Sequence, residues 1–224
     1  MTIDLPYIDE DFIVAYKPSL IPTVPLKNSS GDTLFSLLAE KFPEIRECYG
    51  KNEWEGGILH RLDTPTRGLV IAARNQEAYD FLSSEQNMGR IIKTYRATVS
   101  SCNSELPGFP AFIFSDPMKC NVKIESKFRP FGPKGSSVRP VTDNKRFQDG
   151  QVYWTRVEKE SDNSFLCTIT KGFRHQIRCH LAWAGYPIVG DLQYGGIESD
   201  IFGLEAIRLS FAHPRTNKTI NIAI

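Results

Sequence analysis

Residues 68–73 read Gly-Leu-Val-Ile-Ala-Ala, a run with no polar side chain. A strand of this kind has to be covered on both faces, so the chain must build layers around a sheet. The run is far too short to cross a bilayer, which takes about 20 apolar residues. The pattern around it is mixed. Phe12–Tyr16 reads as a short strand stopped by Lys17-Pro18. Asn75 is placed to cap a helix over Gln76–Met88, with Gly89 as its stop. Ile91–Val99 alternates and is rich in β-formers. Val152–Val157 and Phe165–Thr170 read as a strand pair around the polar turn Ser161-Asp162-Asn163. His175–Ala184 reads as a helix ended by Gly185, and Ile207–Ala212 and Thr219–Ile224 as closing strands. Residues 101–150 are rich in Pro, Gly and Ser and read as loop with room for short strands. This order is not a clean βαβ repeat, which argues against Rossmann and TIM architectures. A mixed or antiparallel sheet with helices packed on it is expected.

The chain is 224 residues long, 41% apolar and 24% charged. That is enough for one sizeable core and excludes a disordered tail, a collagen-like fibre or a disulfide miniprotein. No linker divides it convincingly, so a single domain over 1–224 is expected. Cysteines at 48, 102, 120, 167 and 179 are odd in number, irregularly spaced and free of any CxxC pair. That usage suits reduced thiols in a reducing compartment. The start, MTIDLPYIDEDF, carries acids and no apolar core of a signal peptide. A cytoplasmic monomer without a membrane segment follows as the expectation. Net charge is only +1, yet residues 127–178 hold 11 Lys/Arg against 5 Asp/Glu, an excess of +6. That block is either a solvated surface or an anion-facing one.

Three segments carry functional groups. The first, Gly56 to Gly68, has glycines at both ends and His60, Arg61 and Asp63 directly before the buried strand. The residues alone also allow a plain turn in which Asp63 caps backbone N–H groups. The second runs from Lys171 to Leu181. If it is helical, Arg174 and Arg178 share a face, as on any amphipathic helix with a basic side. The third is Lys93-Thr94-Tyr95-Arg96-Ala97, where alternation puts Lys93, Tyr95 and Ala97 on one face. Tyr95 is then either a packing residue or a ring available for stacking on a base. A metal is not expected, because His175 and His180 are five apart and no HExxH occurs. The absence of GxSxG, P-loop and GxGxxG patterns gives no support to a serine hydrolase or a nucleotide cofactor.

Taken together, the three segments resemble the RluA-type RNA pseudouridine synthases. Residues 60–69, HRLDTPTRGL, are similar to the family's HRLDxxTxGL, with Arg67 where Ser is common. Lys93–Ala97 matches KxYxA. Residues 172–195, GFRHQIRCHLAWAGYPIVGDLQYG, are similar to its third motif, with Phe173-Arg174 in place of the usual Arg-Thr. The likeness runs from about residue 9 to 224, with nothing resembling an S4 domain before it. It implies an α+β pseudouridine synthase fold: a mixed, largely antiparallel sheet with flanking helices and a central active-site cleft.

The implied reaction detaches uracil from C1′ of the ribose, turns it and rejoins it through C5. Substrate and product are isomers, so no redox cofactor, nucleotide or metal is required. The resemblance makes Asp63 the catalytic aspartate, as nucleophile at C1′ or as base on the sugar. It makes Arg178 the cation that keeps Asp63 ionised, and Tyr95 the ring against a flipped-out base. Arg61 is implied to fill the gap left in the RNA. Lys93 and Arg174 are candidate phosphate contacts. His60, His175 and Gln176 complete the RNA-facing set by orienting the motif loops. The partner implied is structured ribosomal or transfer RNA. An RNA-binding module or RNA chaperone without catalysis is the rival reading.

Overall fold

The structure, a computed structural model, describes residues 3–25, 31–52, 54–101, 106–142 and 150–224. Cys102 and parts of the 101–150 segment lie outside the described residues. The chain divides into two compact units, residues 1–93 with 205–224, and residues 94–204.

In the first unit the apolar run forms β3 (Arg67–Ala73), buried at every position after Arg67. It is flanked by β2 (Phe12–Lys17), antiparallel with Phe12 opposite Ala73 and Lys17 opposite Gly68. On its other side it runs parallel to β9 (Leu204–Ala212), with Gly68 opposite Ala206. β1 (Asp4–Ile8) and β10 (Thr219–Ala223) extend the order to β1-β2-β3-β9-β10. The helix expected after Asn75 is α2 (Gln76–Asn87), whose first turn is capped by the Asn75 side chain accepting from Ala78 N at 2.9 Å. Its Leu82 enters the core with Phe12, Val14, Leu69, Ile71, Leu209 and Phe211. Helix α1 (Leu34–Lys41) was not foreseen. Thr33 and Ser36 cap it reciprocally, and Leu34 and Leu38 share its buried face.

In the second unit the strand order is β4 (Ile92–Thr98), β8 (Ser164–Ile169), β7 (Tyr153–Ser161), β5 (Val122–Phe131) and β6 (Ser137–Val141). β7 and β8 pair with Val157 opposite Cys167, as the turn at 161–163 predicts. Strand in 101–150 is more extensive than the short strands expected there. Residues 122–141 make a long hairpin, paired from Lys127 opposite Val141 to Phe131 opposite Ser137. Val122, Ile124 and Ser126 alternate inward, and Pro140 is tolerated because β6 is an edge strand. The helix expected over His175–Ala184 is α3 (Gln176–Trp183), and all eight of its residues are buried. His175 stands before it in a left-handed conformation, φ 58°. Arg174 is therefore outside the helix and does not share a helical face with Arg178. In both units antiparallel pairing dominates, and the β3–β9 pair is parallel.

Candidate active site

The first unit holds His60, Arg61, Asp63 and Lys93. Two glycines make the HRLD segment possible. A Cβ on Gly57 would lie 2.1 Å from the carbonyl oxygen of Ala73. Gly68 has φ 117° and backs onto Ala206, where a Cβ would meet the carbonyl oxygen at 2.3 Å. Between them the loop is pinned from several sides. Leu59 N donates to Ile71 O at 3.0 Å, and Ile71 N donates to His60 Nε2 at 3.3 Å. Thr23 brackets Leu62, accepting from its N at 3.1 Å and donating to its carbonyl at 3.0 Å. Ser19 Oγ donates to Pro65 O at 2.6 Å, and Thr66 N closes a turn onto Asp63 O at 3.0 Å. Asp63 itself is half-buried.

Lys17 carries much of this support. It is fully buried, and its ammonium donates to the carbonyls of Ile21, Pro18 and Thr64 at 2.6, 2.9 and 3.1 Å. Burial pushes its pKa down to about 8, and the Asp63 carboxylate opposes that fall. Sequence reading used Lys17 only as a strand stop. Its one visible signal is a lysine ending an otherwise apolar strand just before the Pro18–Pro25 segment that cradles the loop.

Lys93 is not at the surface, so the phosphate-contact role gives way to a supporting one. Its ammonium is buried and donates to Gln86 Oε1 at 3.0 Å, while Gln86 Nε2 donates to Leu59 O at 3.0 Å. The KxYxA lysine is thus hydrogen-bonded, through one glutamine, to the base of the HRLD loop. Burial pushes Lys93 down to about 8. Burial and the Lys93 charge hold His60 well below the usual imidazole range, so His60 is a neutral acceptor. Between about pH 8 and 10.5 the unfolded chain binds a proton that folded Lys93 has released, so this group makes stability rise with pH there. Urea unfolding of wild type and Lys93→Met across that range checks this. The variant should lose that part of the rise, and parallel curves would contradict it.

Arg61 is exposed and its guanidinium pairs with buried Glu55 at 3.0 Å. Arg67, where the family commonly has Ser, pairs with Glu205 at 3.1 Å. Glu205 also accepts from the Tyr16 hydroxyl at 2.7 Å. Burial, followed by that hydrogen bond, pushes Tyr16 up to about 12.

The second unit holds Tyr95, Arg174, His175, Gln176 and Arg178. Tyr95 is buried on β4 with Ala97, while Arg96 points out to Glu160, as alternation predicts. Gln176 is buried and staples the start of α3. It accepts from Phe173 N at 2.9 Å and donates to Trp154 O at 2.8 Å. His175 Nδ1 shares a 3.1 Å hydrogen bond with the Tyr194 hydroxyl. Both residues sit where they order the motif. Arg174 donates to the carbonyls of Gly135 and Ser137. Arg178 is buried and forks onto Asp191, Nε to Oδ2 at 2.7 Å and Nη2 to Oδ1 at 2.8 Å. Nη2 also donates to Gln193 Oε1 at 2.8 Å, and the guanidinium carbon lies 5.0 Å from the Tyr194 ring centre. Asp191 and Gln193 were missed, although both lie within the third motif. His180 is fully buried between Ser126 and Thr155, which accounts for its pKa of about 3 and leaves it no ligand role. Among the described residues one trio has ligand spacing, Asp9, Asp11 and His213, but Arg215 and Asn75 already bond Asp11.

The pinned HRLD loop of the first unit and the buried arginine on the HQIR helix of the second are segments expected of an RNA pseudouridine synthase. The family described as RNA pseudouridylate synthase matches residues 11–183, and this chain belongs to it. Its members are isomerases that act on uridine in RNA. The chain is 27% identical to an uncharacterized RNA pseudouridine synthase of Bacillus subtilis, YlyB, covering 98% of this chain and 68% of that one. It is 25% identical to ribosomal large subunit pseudouridine synthase D of Neisseria meningitidis, covering 99% of this chain but only 57% of that one. The human RNA pseudouridylate synthase domain containing 1 has the same fold, with a TM-score of 0.70 at 20% identity over 100% of this chain and 83% of the human one. No helix among the described residues is long and apolar enough to cross a membrane.

Proposed function

We propose that this chain converts a uridine of ribosomal or transfer RNA in the cytoplasm to pseudouridine, with Asp63, Tyr95 and Arg178 acting on the flipped-out nucleotide. The bond from C1′ to N1 breaks, a bond from C1′ to C5 forms, and the proton lost from C5 is balanced by one gained at N1. No electron is gained or lost. Asp63 serves either by attacking C1′ or by taking a proton from the sugar. Arg178 holds negative charge in a dry site, for which a planar fork is better suited than an ammonium. Tyr95 stacks on the base, a contact worth about 1–3 kcal/mol, and handles the proton at C5. Arg61 takes the place of the flipped base in the RNA.

The observation that carries this reading is the loop itself. The carbonyls of Leu59, Leu62, Thr64 and Pro65 accept from Gln86, Thr23, Lys17 and Ser19, and the His60 ring accepts from Ile71 N, so the backbone that carries exposed Arg61 and half-buried Asp63 is held at several points. Such stiffening fits a carboxylate that must meet a reacting carbon with little freedom. The resemblance to the Neisseria protein supports a ribosomal substrate. Incubation with in vitro transcribed ribosomal and transfer RNA, followed by mass spectrometry for pseudouridine, tests the reading. RNA that is bound but unmodified would assign the chain as a binding module instead.

Tyr95→Phe should bind RNA as wild type does and turn over poorly, whereas Tyr95→Ala should lose both. A fully active Phe variant would reduce Tyr95 to stacking. Because residues 127–178 carry a net +6, affinity should fall steeply with salt. A filter-binding titration that is flat between about 50 and about 200 mM salt would remove phosphate contacts from the reading.

A further inference from the structure

Between Ser126 and Val141 the hairpin of β5 and β6 holds four basic residues, Lys127, Arg129, Lys134 and Arg139, and no acid. They do not do the same work. Arg139 is buried, its guanidinium carbon 4.4 and 4.2 Å from the ring centres of Phe109 and Phe131, with Nε donating to Pro107 O at 2.8 Å. It is a structural clamp. Lys134 is exposed at the tip, in a left-handed conformation with φ 51°.

The tip backbone is gripped from outside the hairpin. Arg174 donates to Gly135 O and Ser137 O, so its guanidinium is an anchor rather than the phosphate contact expected of it. Phe173 stacks on Phe128 with ring centres 4.9 Å apart. The two residues that depart from the family's usual Arg-Thr therefore both dock the hairpin onto the HQIR segment. Between the two carbonyls held by Arg174, Ser136 O accepts from Gln193 Nε2 at 3.1 Å. The other end of that amide, Oε1, accepts from Arg178 Nη2 at 2.8 Å. Only this orientation of the amide satisfies both neighbours, since a guanidinium cannot accept and a carbonyl cannot donate.

We propose that the hairpin is an RNA-gripping arm whose tip lysine, Lys134, meets the phosphate backbone, and that Gln193 ties this arm to Arg178. The inference rests on the functional reading above. RNA that draws on the tip then acts through Ser136 and Gln193 on the orientation of the guanidinium. Asp191 fixes the Nε–Nη2 edge of Arg178, and Gln193, on the same Nη2, makes its position answer to whether the arm is engaged. Gln193 is thus a positioning residue, and it reaches the reaction only through Arg178.

Two probes separate grip from coupling: fluorescein-labelled poly(U) for binding, and in vitro transcribed ribosomal and transfer RNA for turnover. Lys134→Ala should weaken poly(U) binding about threefold to tenfold and flatten its salt dependence. Gln193→Ala should keep poly(U) affinity within about twofold and lower the rate at saturating transcript about tenfold, a loss in kcat rather than KM. Gln193 is exposed, so its variants should keep the fold, which circular dichroism checks. Gln193→Glu retains an acceptor for Arg178 and loses the donor for Ser136. If the tie to the arm is what counts, it fails as Gln193→Ala does. A wild-type saturated rate in either Gln193 variant would overturn the coupling, and unchanged poly(U) binding in Lys134→Ala would overturn the grip. A wild type that makes no pseudouridine in any transcript would overturn the functional reading itself.

Discussion

Asp63→Asn should abolish pseudouridine formation, lowering the single-turnover rate by at least about a thousandfold, while RNA affinity and thermal stability stay close to wild type. The substitution is nearly isosteric. The turn that positions residue 63 is closed by a backbone hydrogen bond, Thr66 N to Asp63 O at 3.0 Å, which the substitution leaves in place. The hydrogen bonds from Lys17, Thr23 and Ser19 to neighbouring carbonyls are made to backbone atoms that the substitution also leaves in place. What is lost is an anion able to attack C1′ or accept a proton, and an amide can do neither. A second readout is available at Lys17. The Asp63 charge raises the pKa of that buried ammonium against the effect of burial. Removing the charge should lower it further, so Lys17 should titrate below its wild-type midpoint in the Asn variant. Near-wild-type turnover in Asp63→Asn, measured by mass spectrometry of the RNA, would end the assignment.

How much of this was legible beforehand depends on the range of the interaction. β3 could be read because six apolar residues in a row have one burial solution, and α2 because Asn75 supplies a local cap. The HRLD and HQIR segments stood out as motifs. Contacts across long sequence distances left no local trace. Nothing near Lys17 announces that its ammonium bonds the carbonyl of Thr64, and nothing near Lys93 announces Gln86. Lys93 and Arg174 are the candidate phosphate contacts of the sequence, yet a single well-placed acceptor is enough to bury one, and hydrogen bonds donated to carbonyls occupy the other. Residues 101–150, rich in Gly, Pro and Ser, leave room only for short strands, whereas β5 runs ten residues on the alternation of Val122, Ile124 and Ser126. Ser126, the polar member of that alternation, is buried and bonds His180.

Arg178→Ala should cost both activity and stability, and the two losses should separate in a second variant. The guanidinium and the Asp191 carboxylate are both buried and joined by two hydrogen bonds of 2.7 and 2.8 Å. Truncating the arginine leaves a buried carboxylate without its main partner, a defect that costs about 3–5 kcal/mol. It also empties the space beside the Tyr194 and Phe202 rings. Turnover should fall by much more than RNA affinity, because the guanidinium is buried, away from the surface open to a polyanion, and its proposed part is in the isomerisation. Arg178→Lys should restore little, since an ammonium cannot fork onto both Asp191 oxygens and still reach Gln193. Adding Asp191→Asn to Arg178→Ala removes the stranded charge and should return much of the stability, read by urea unfolding. It should return none of the turnover. If the double variant regains activity with its stability, Arg178 is a structural ion-pair partner and no more. If it regains stability alone, the guanidinium acts in the isomerisation.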